Sequence, residues 1–321
     1  MTKELRIGTR GSQLALYQAN WVRKKLIEVN PHLEVTLLII KTTGDRIQDA
    51  PLSKIGGKGV FVKEIEEALI DRRVDLAVHS IKDVPTEFPE GLHLSAITKR
   101  EDPRDVFISR DGTPLKDLPQ RAKIGTSSLR RQAQLLHFRN DLEIIPLRGN
   151  LDTRLKKLAT MNLDGIVLAM AGVKRLGLGE RITEVIPEEI SLPAIGQGAL
   201  GIETRSDDRE TEELTRYFND PASSFAVSGE RAFLRKLGGG CQVPIAAFGK
   251  LQASTLRIDG LVASTDGKRI IKHQVEGPAE RAESLGIELA EVLLSRGARE
   301  ILAEVYGESA PPVSIEEQND R

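Results

Sequence analysis

"RIGTRGSQLALYQA" (Arg6–Ala19) and "KIGTSSLRRQAQLL" (Lys123–Leu136) begin alike: a short strand-like run, an Ile-Gly-Thr turn, then a helical pattern. The likeness continues downstream of each. The apolar runs "VTLLII" (35–40) and "LEIIPL" (142–147) follow, and such runs suit parallel strands buried on both faces. Polar or glycine turns come next, "KTTGD" and "RGNLD". A helix is then expected in each half, with Phe61, Val62, Ile65 and Leu69 on one stripe in the first and Leu151, Leu155, Leu158 and Ala159 in the second. A third strand closes each pattern, "VDLAVHS" (74–80) and "DGIVLAM" (164–170). The order β-α-β-α-β, met twice, predicts an α/β protein with two like domains.

Two stretches mark passages between these units. "TKREDPRD" (98–105) leads from the first to the second, and "LPAIGQGALGIE" (192–203) leads back, with Gly196 and Gly198 permitting unusual backbone angles. Two crossings make a hinge over a cleft. The segment 43–60 is glycine- and lysine-rich without a clear period, which reads as a lid or an unstructured loop. From Pro221 the pattern changes. Asp220 reads as an N-cap, Pro221 as the first helical residue, Arg235 and Lys236 as the basic last turn and Gly238 as the stop. Three strand-like runs (243–251, 255–264, 269–275) and a helical stretch (278–306) then predict a small α+β domain with an antiparallel sheet. The expected division is 1–98 with 199–217, 104–193, 220–306, and a frayed tail at 307–321.

Composition narrows the function. Formal net charge is −1 and aromatics are 4%, so neither a global basic field nor a base-stacking platform points to nucleic acid. No run reaches transmembrane length, and no apolar stretch of signal-peptide length is present near the start. With one cysteine the chain reads as cytoplasmic, without a nucleic-acid or membrane partner. The five histidines show no metal-ligand spacing, and no metal is expected.

Ligands of open α/β sheets sit at the carboxyl ends of the strands. Collected there are Arg10 and Ser12, Lys82 and Asp83, Thr126, Ser127, Ser128, Arg130 and Arg131, Arg148 and Arg154, and Lys174 and Arg175. Cations crowd these ends although the whole chain is balanced. Arginine forks and helix N-termini match carboxylates and phosphates, so the cleft suits a polyanion. Cys241 in "RKLGGGCQVPIAA" (235–247) has three readings. It is an inert buried thiol, a hydrolase nucleophile, or a thiol on a glycine lead that tethers a cofactor. A helix C-terminus and the lack of a neighbouring histidine disfavour the nucleophile. The glycines favour the tether, and spacing alone does not decide.

Taken in order, "GTRGSQLAL", "KIGGKGVF", "AVHSIKDVP", "IGTSSLRRQAQ", "LRGNLDTRL", "LPAIGQGALGIE" and "GGGCQVPIA" resemble the porphobilinogen deaminase (hydroxymethylbilane synthase) family from Leu5 to about Tyr306. The resemblance implies two domains of periplasmic-binding-protein-like fold around a cleft, plus the small α+β domain. It implies a monomeric transferase of haem and tetrapyrrole biosynthesis, joining four porphobilinogen molecules head to tail with loss of ammonia. It also implies a dipyrromethane cofactor held by thioether to Cys241. On the matching motifs, Asp83 is the catalytic carboxylate. The resemblance assigns Lys82, Asp83, Thr126, Ser128, Arg130, Arg131 and Arg154 to the cofactor. Arg10, Ser12, Arg148, Arg154, Arg175 and Gln197 fall to substrate, and Lys58 and Phe61 to the lid. The alternative is a soluble two-lobed binding protein for an anionic ligand.

Overall fold

The computed structural model describes residues 3–46, 59–239 and 243–306. Cys241, Lys58 and the tail 307–321 lie outside the described residues, as does most of the expected lid segment.

Strands β1 (Lys3–Thr9), β2 (Leu33–Ile39), β3 (Leu76–Ser80) and β4 (Leu92–Ile97) share a sheet with the distant β10 (Leu200–Arg205), in the order β2-β1-β3-β10-β4. The second sheet holds β5 (Asp105–Ser109), β6 (Lys123–Gly125), β7 (Glu143–Ile145), β8 (Gly165–Ala169) and β9 (Glu184–Val185), in the order β7-β6-β8-β5-β9. The two plans are the same. Three parallel strands carry the repeat, and the fourth runs antiparallel to its neighbours. That fourth strand is supplied just after a crossing in each case, β5 after the outward one and β10 after the return. The α/β class and the pair of βαβ sheets expected from sequence are therefore present, each sheet extended by strands that the repeat does not contain.

The repeated Ile-Gly-Thr has a local physical cause. A Cβ at Gly8 would lie 3.1 Å from Val74 Cγ2, and one at Gly125 would lie 2.7 Å from Leu163 Cδ1. Only a bare backbone lets the flanking layer come that close. The threonines that follow, Thr9 and Thr126, are buried and spend their hydroxyls on the turn: Thr9 Oγ1 donates to Ala15 O at 3.3 Å, and Thr126 Oγ1 accepts from Ser128 N at 3.2 Å. Helix α1 (Gln13–Val29) is then capped by Ser12, and α3 (Leu129–Phe138) by Ser128, each through a side-chain oxygen accepting a backbone N–H.

The apolar runs behave differently from expectation. β2 and β7 are edge strands, and Leu38 and Ile39 are 40% and 56% exposed. The centre of each sheet belongs to β3 and β8, whose residues are nearly all buried. Helix α2 (Lys63–Ile70) buries Ile65 and Leu69 as predicted, whereas Phe61 and Val62 lie in the turn before it. In α4 (Leu151–Thr160), Leu158 is buried and Leu151 and Leu155 pack on the same core, but Ala159 faces outward.

Outward and return crossings run side by side. Glu101 N donates to Gly198 O at 3.3 Å, and Gly198 takes φ +97°. A Cβ there would sit 2.3 Å from Glu101 O, so no other residue fits. Helix α5 (Met170–Arg175) projects from β8 toward this junction, and α6 (Arg209–Arg216) follows β10. The third unit packs α7 (Pro221–Lys236) and α8 (Ala282–Leu293) on a meander of β11 (Ile245–Gln252), β12 (Thr255–Ala263) and β13 (Ile270–Pro278). Its last helical stretch is not continuous: Gly297, at φ +101°, kinks the chain before α9 (Arg299–Tyr306). Glu230 on α7 accepts from Gly196 N at 2.6 Å and Gly249 N at 2.8 Å, and also pairs with Arg100. One buried carboxylate thus holds the meander and both crossings together.

A second buried group sits in the first sheet. His79 Nε2 lies 2.9 Å from Glu203 Oε2, with Glu66 of α2 nearby. Burial pushes the Glu66 carboxyl up to about 7, the charge of Glu203 adds to this, and His79 opposes it. A carboxyl whose pKa is raised by folding contributes stability below its ordinary value of 4.5 and loses it as pH rises through about 7. Glu66→Gln should therefore melt like the parent near pH 5 and above it near pH 8. The gain expected there is roughly 2–3 kcal/mol. Equal melting temperatures of variant and parent at both pH values would show that Glu66 carries no such cost.

Candidate active site

Below β3 the chain makes a single tight turn, Ile81–Asp83, which presents Lys82 and Asp83 at the carboxyl end of the central strand. Asp83 lines a cavity of about 60 Å³ together with Arg10, Ser12, Gln18, Phe61, His79 and Ser80. The wall is organised by polar contacts. Gln18 Nε2 donates to Ser80 Oγ at 3.0 Å, and Arg10 pairs with Asp45 while its guanidinium stacks 4.4 Å above the Phe61 ring. Burial would raise the Asp45 carboxyl, but Arg10 and Thr42 bring it below its ordinary value. Ser12 is present at the cavity but already serves as a helix cap.

The second lobe brings cations close to Lys82 and Asp83, although none of them lines that cavity. Burial lowers the Lys82 ammonium to about 8; Asp83 opposes the shift, and Arg131 and Arg154 of the other lobe reinforce it. Arg154 is likewise lowered to about 10 by burial, with Arg131 and Arg148 adding to the effect and Asp83 resisting. Lys82, Asp83, Arg131, Arg148 and Arg154 therefore form one electrostatic neighbourhood that spans the cleft. Arg154 is aimed by its own loop, Nε donating to Gly149 O at 2.9 Å. Cations outnumber acids here, and an anionic ligand would relieve their repulsion.

Several predicted residues are engaged by contacts away from that cavity. Arg130 turns inward, its Nη1 donating to Asp105 Oδ2 at 2.8 Å and to Leu192 O at 2.7 Å. Gln197 is buried in the return crossing, with Nε2 on Pro103 O at 2.6 Å and on Asp105 Oδ1 at 2.9 Å. Neither lines the cavity. Thr126 is buried in its turn, and Ser128 caps α3. Arg175 donates from Nη2 to Gly198 O at 2.7 Å and so reaches the hinge. Arg131 is divided. Nη2 donates to Asp105 Oδ1 at 2.7 Å and Nη1 to Val167 O at 2.9 Å, while the buried Nε has no partner.

Asp105, on which these contacts converge, is the residue that the sequence reading missed. Its signal was faint: an acid heading a short apolar run, "DVFIS", in a turn already rich in charge. Burial alone would raise its carboxyl, yet Arg130 and Arg131 hold it far below the carboxylate range. Asp45 was missed as well, since nothing in a loop sequence foretells its pairing with Arg10. Among the described residues no group of three or more His, Cys, Asp or Glu is placed to hold a metal, and no helix is long and apolar enough to cross a membrane.

Two family models match the chain: "porphobilinogen deaminase, dipyromethane cofactor binding domain" over residues 5–213, and "porphobilinogen deaminase, C-terminal domain" over residues 224–295. The porphobilinogen deaminase of Geotalea uraniireducens is 59% identical over 304 residues, 95% of each chain. That of Geotalea daltonii is also 59% identical, again over 95% of each. Among solved structures, the periplasmic aliphatic sulphonate binding protein SsuA of Escherichia coli aligns with a TM-score of 0.40 at 14% identity, covering 73% of this chain and 70% of that one.

Proposed function

The chain belongs to the porphobilinogen deaminase family, and from that premise we propose how its residues divide the work. The reaction is the head-to-tail condensation of four porphobilinogen molecules with loss of four ammonia molecules, followed by hydrolysis in which one water supplies the hydroxyl of the released hydroxymethylbilane, for tetrapyrrole biosynthesis. The two-lobed binding-protein alternative is not favoured, because the family models span both lobes and the third unit.

The residues at the cleft fit a dipyrromethane, whose acetate and propionate groups are anionic. The buried Arg131 Nε lacks a partner, and an anion bound beside the buried Lys82 and Arg154 would favour their charged forms. When bound, the cofactor supplies the pyrrole carbon from which the product chain is extended. Lys82, Arg131 and Arg154 would hold its carboxylates, with Thr126 and Ser128 shaping the turn beneath. Cys241 is proposed as its thioether anchor. Arg130 is proposed to act on the cofactor as well, with Nη1 held by Asp105 and Leu192. Arg10, Arg148 and Arg175 are proposed to bind substrate carboxylates. Gln197 acts through the hinge, and Ser12 through the helix that it caps.

The observation that carries this reading is that one carboxylate, Asp83, lines a cavity of the first lobe and interacts with Lys82 beside it and with Arg154 of the second lobe. As the C–N bond of the protonated aminomethyl group of porphobilinogen breaks, its electron pair leaves with ammonia and positive charge spreads over the pyrrole. Asp83 stabilises that charge as it develops. Attack by an acceptor pyrrole's α-carbon would form the new C–C bond, and the α-proton released to solvent would balance the proton that left with ammonia. We further take the units as 1–98 with 199–217, 104–193 and 220–306, moving about the paired crossings, in a monomeric cytoplasmic enzyme.

Substitution at Arg148 tests the division between loading and elongation. Arg148→Leu should carry the cofactor but accumulate an early adduct, read by intact mass after limited exposure to porphobilinogen. Loss of one charged contact, about 1.5–3 kcal/mol, slows a step by roughly 10- to 150-fold. A variant that elongates at the parental rate removes Arg148 from substrate binding, and ammonia release absent from the parent enzyme would overturn the whole reading.

A further inference from the structure

Asp105 is fully buried at the first residue of β5, where the outward crossing enters the second lobe. Its two oxygens receive donors from two other segments, helix α3 and the return crossing. Oδ1 takes Arg131 Nη2 at 2.7 Å and Gln197 Nε2 at 2.9 Å; Oδ2 takes Arg130 Nη1 at 2.8 Å and Ser191 Oγ at 3.0 Å. Gln197 and Ser191 lie on the return crossing, and Gln197 Nε2 also reaches Pro103 O on the outward one. The arginines lie in the first turn of α3. One carboxylate therefore ties the helix that faces the cleft to both strands of the hinge. It also sets the local charge. Two guanidinium groups against one carboxylate leave a buried surplus of one positive charge, on the side where Arg131 Nε has no partner.

We propose that Asp105 is a positioning residue for cofactor loading: it fixes Arg131 in register with the hinge so that one uncompensated cation is presented to an incoming carboxylate. The inference rests on reading Arg131 as a cofactor ligand. A buried charged pair broken on one side is strongly destabilising, so Asp105→Asn alone would confuse position with folding. Two other variants separate them. Asp105→Glu keeps the charge and displaces the guanidinium by about one methylene. The double variant Asp105→Asn/Arg130→Gln keeps the local charge balance, with a neutral acceptor facing Arg131.

Each apoprotein is given porphobilinogen, and the appearance of the two-pyrrole adduct is followed by intact mass, with melting temperature measured alongside. A misplacement of this size costs up to about 100-fold in a geometry-dependent step. The expected result is that at least one of the two variants melts cooperatively near the parent, and that each variant that does so loads at least tenfold more slowly. A folded variant of either kind loading at the parental rate overturns the proposal, and so does a loading defect that only ever tracks loss of melting temperature. Arg131→Leu is measured in parallel: if it loads normally, the reading of Arg131 itself has failed, whereas slow loading by Arg131→Leu with normal loading by the Asp105 variants rejects the positioning role alone.

Discussion

Cys241→Ser folds, carries no covalent pyrrole adduct and loses activity by at least about 100-fold, because an anchored acceptor reacts as part of the site and an unanchored one must be captured anew. Folding is expected to survive, since the neighbours of the loop are fixed independently of the thiol. Tyr306 Oη donates to Gly238 O at 3.0 Å on one side, and Val243 is buried in the third core on the other. Stability should still fall somewhat. Burial disfavours the charged forms of Lys82 and Arg154, and a bound polyanion stabilises them, so the variant should melt below the loaded parent and recover when an excess of a polycarboxylate is supplied. Intact mass, the melting curve and ammonia release are read on one preparation. A serine variant that turns over like the parent would show that Cys241 is not the anchor and return it to the inert-thiol reading.

What was legible in the sequence followed from local rules. The Ile-Gly-Thr repeat announced itself because close packing at Gly8 and Gly125 and capping at Ser12 and Ser128 act on neighbouring residues. The strand-end rule placed Arg10, Lys82, Asp83 and Arg154 in one neighbourhood, because position along a parallel sheet is set by topology alone. Strand β10 was not legible as the fourth strand of the first sheet. It is buried throughout, yet it carries Glu203, Thr204 and Arg205, whose polarity hides the strand from any hydrophobic pattern. The direction of an arginine was equally hidden. Arg130 and Arg131 are adjacent in sequence and both head α3, but only a distant carboxylate decides how each guanidinium is spent. Long-range pairing of this kind leaves no periodic trace.

Asp83→Asn should bind cofactor and substrate and then stall. The side chain keeps its shape, and the cavity formed with Arg10, Phe61 and Ser80 needs no repacking. What is lost is a fixed negative charge beside a pyrrole that becomes cationic as ammonia departs. A group of that kind acts on the transition state far more than on the ground state, and its removal is expected to slow the chemical step by about 10²–10⁴-fold. Binding responds in the opposite sense. Asp83 opposes the lowering of both Lys82 and Arg154, with Asp105 adding at Lys82, so its neutralisation makes the site more positive. The KM for porphobilinogen should therefore hold or fall while kcat collapses, a split that a misfolded site would not give. Asp83→Glu keeps the charge with altered reach and should retain more activity than the asparagine form. Single-turnover ammonia release, on variants whose loaded mass has been confirmed, measures the step directly. Release at the parental rate from loaded Asp83→Asn would remove this carboxylate from the chemistry and leave it the residue that ends a tight turn after β3.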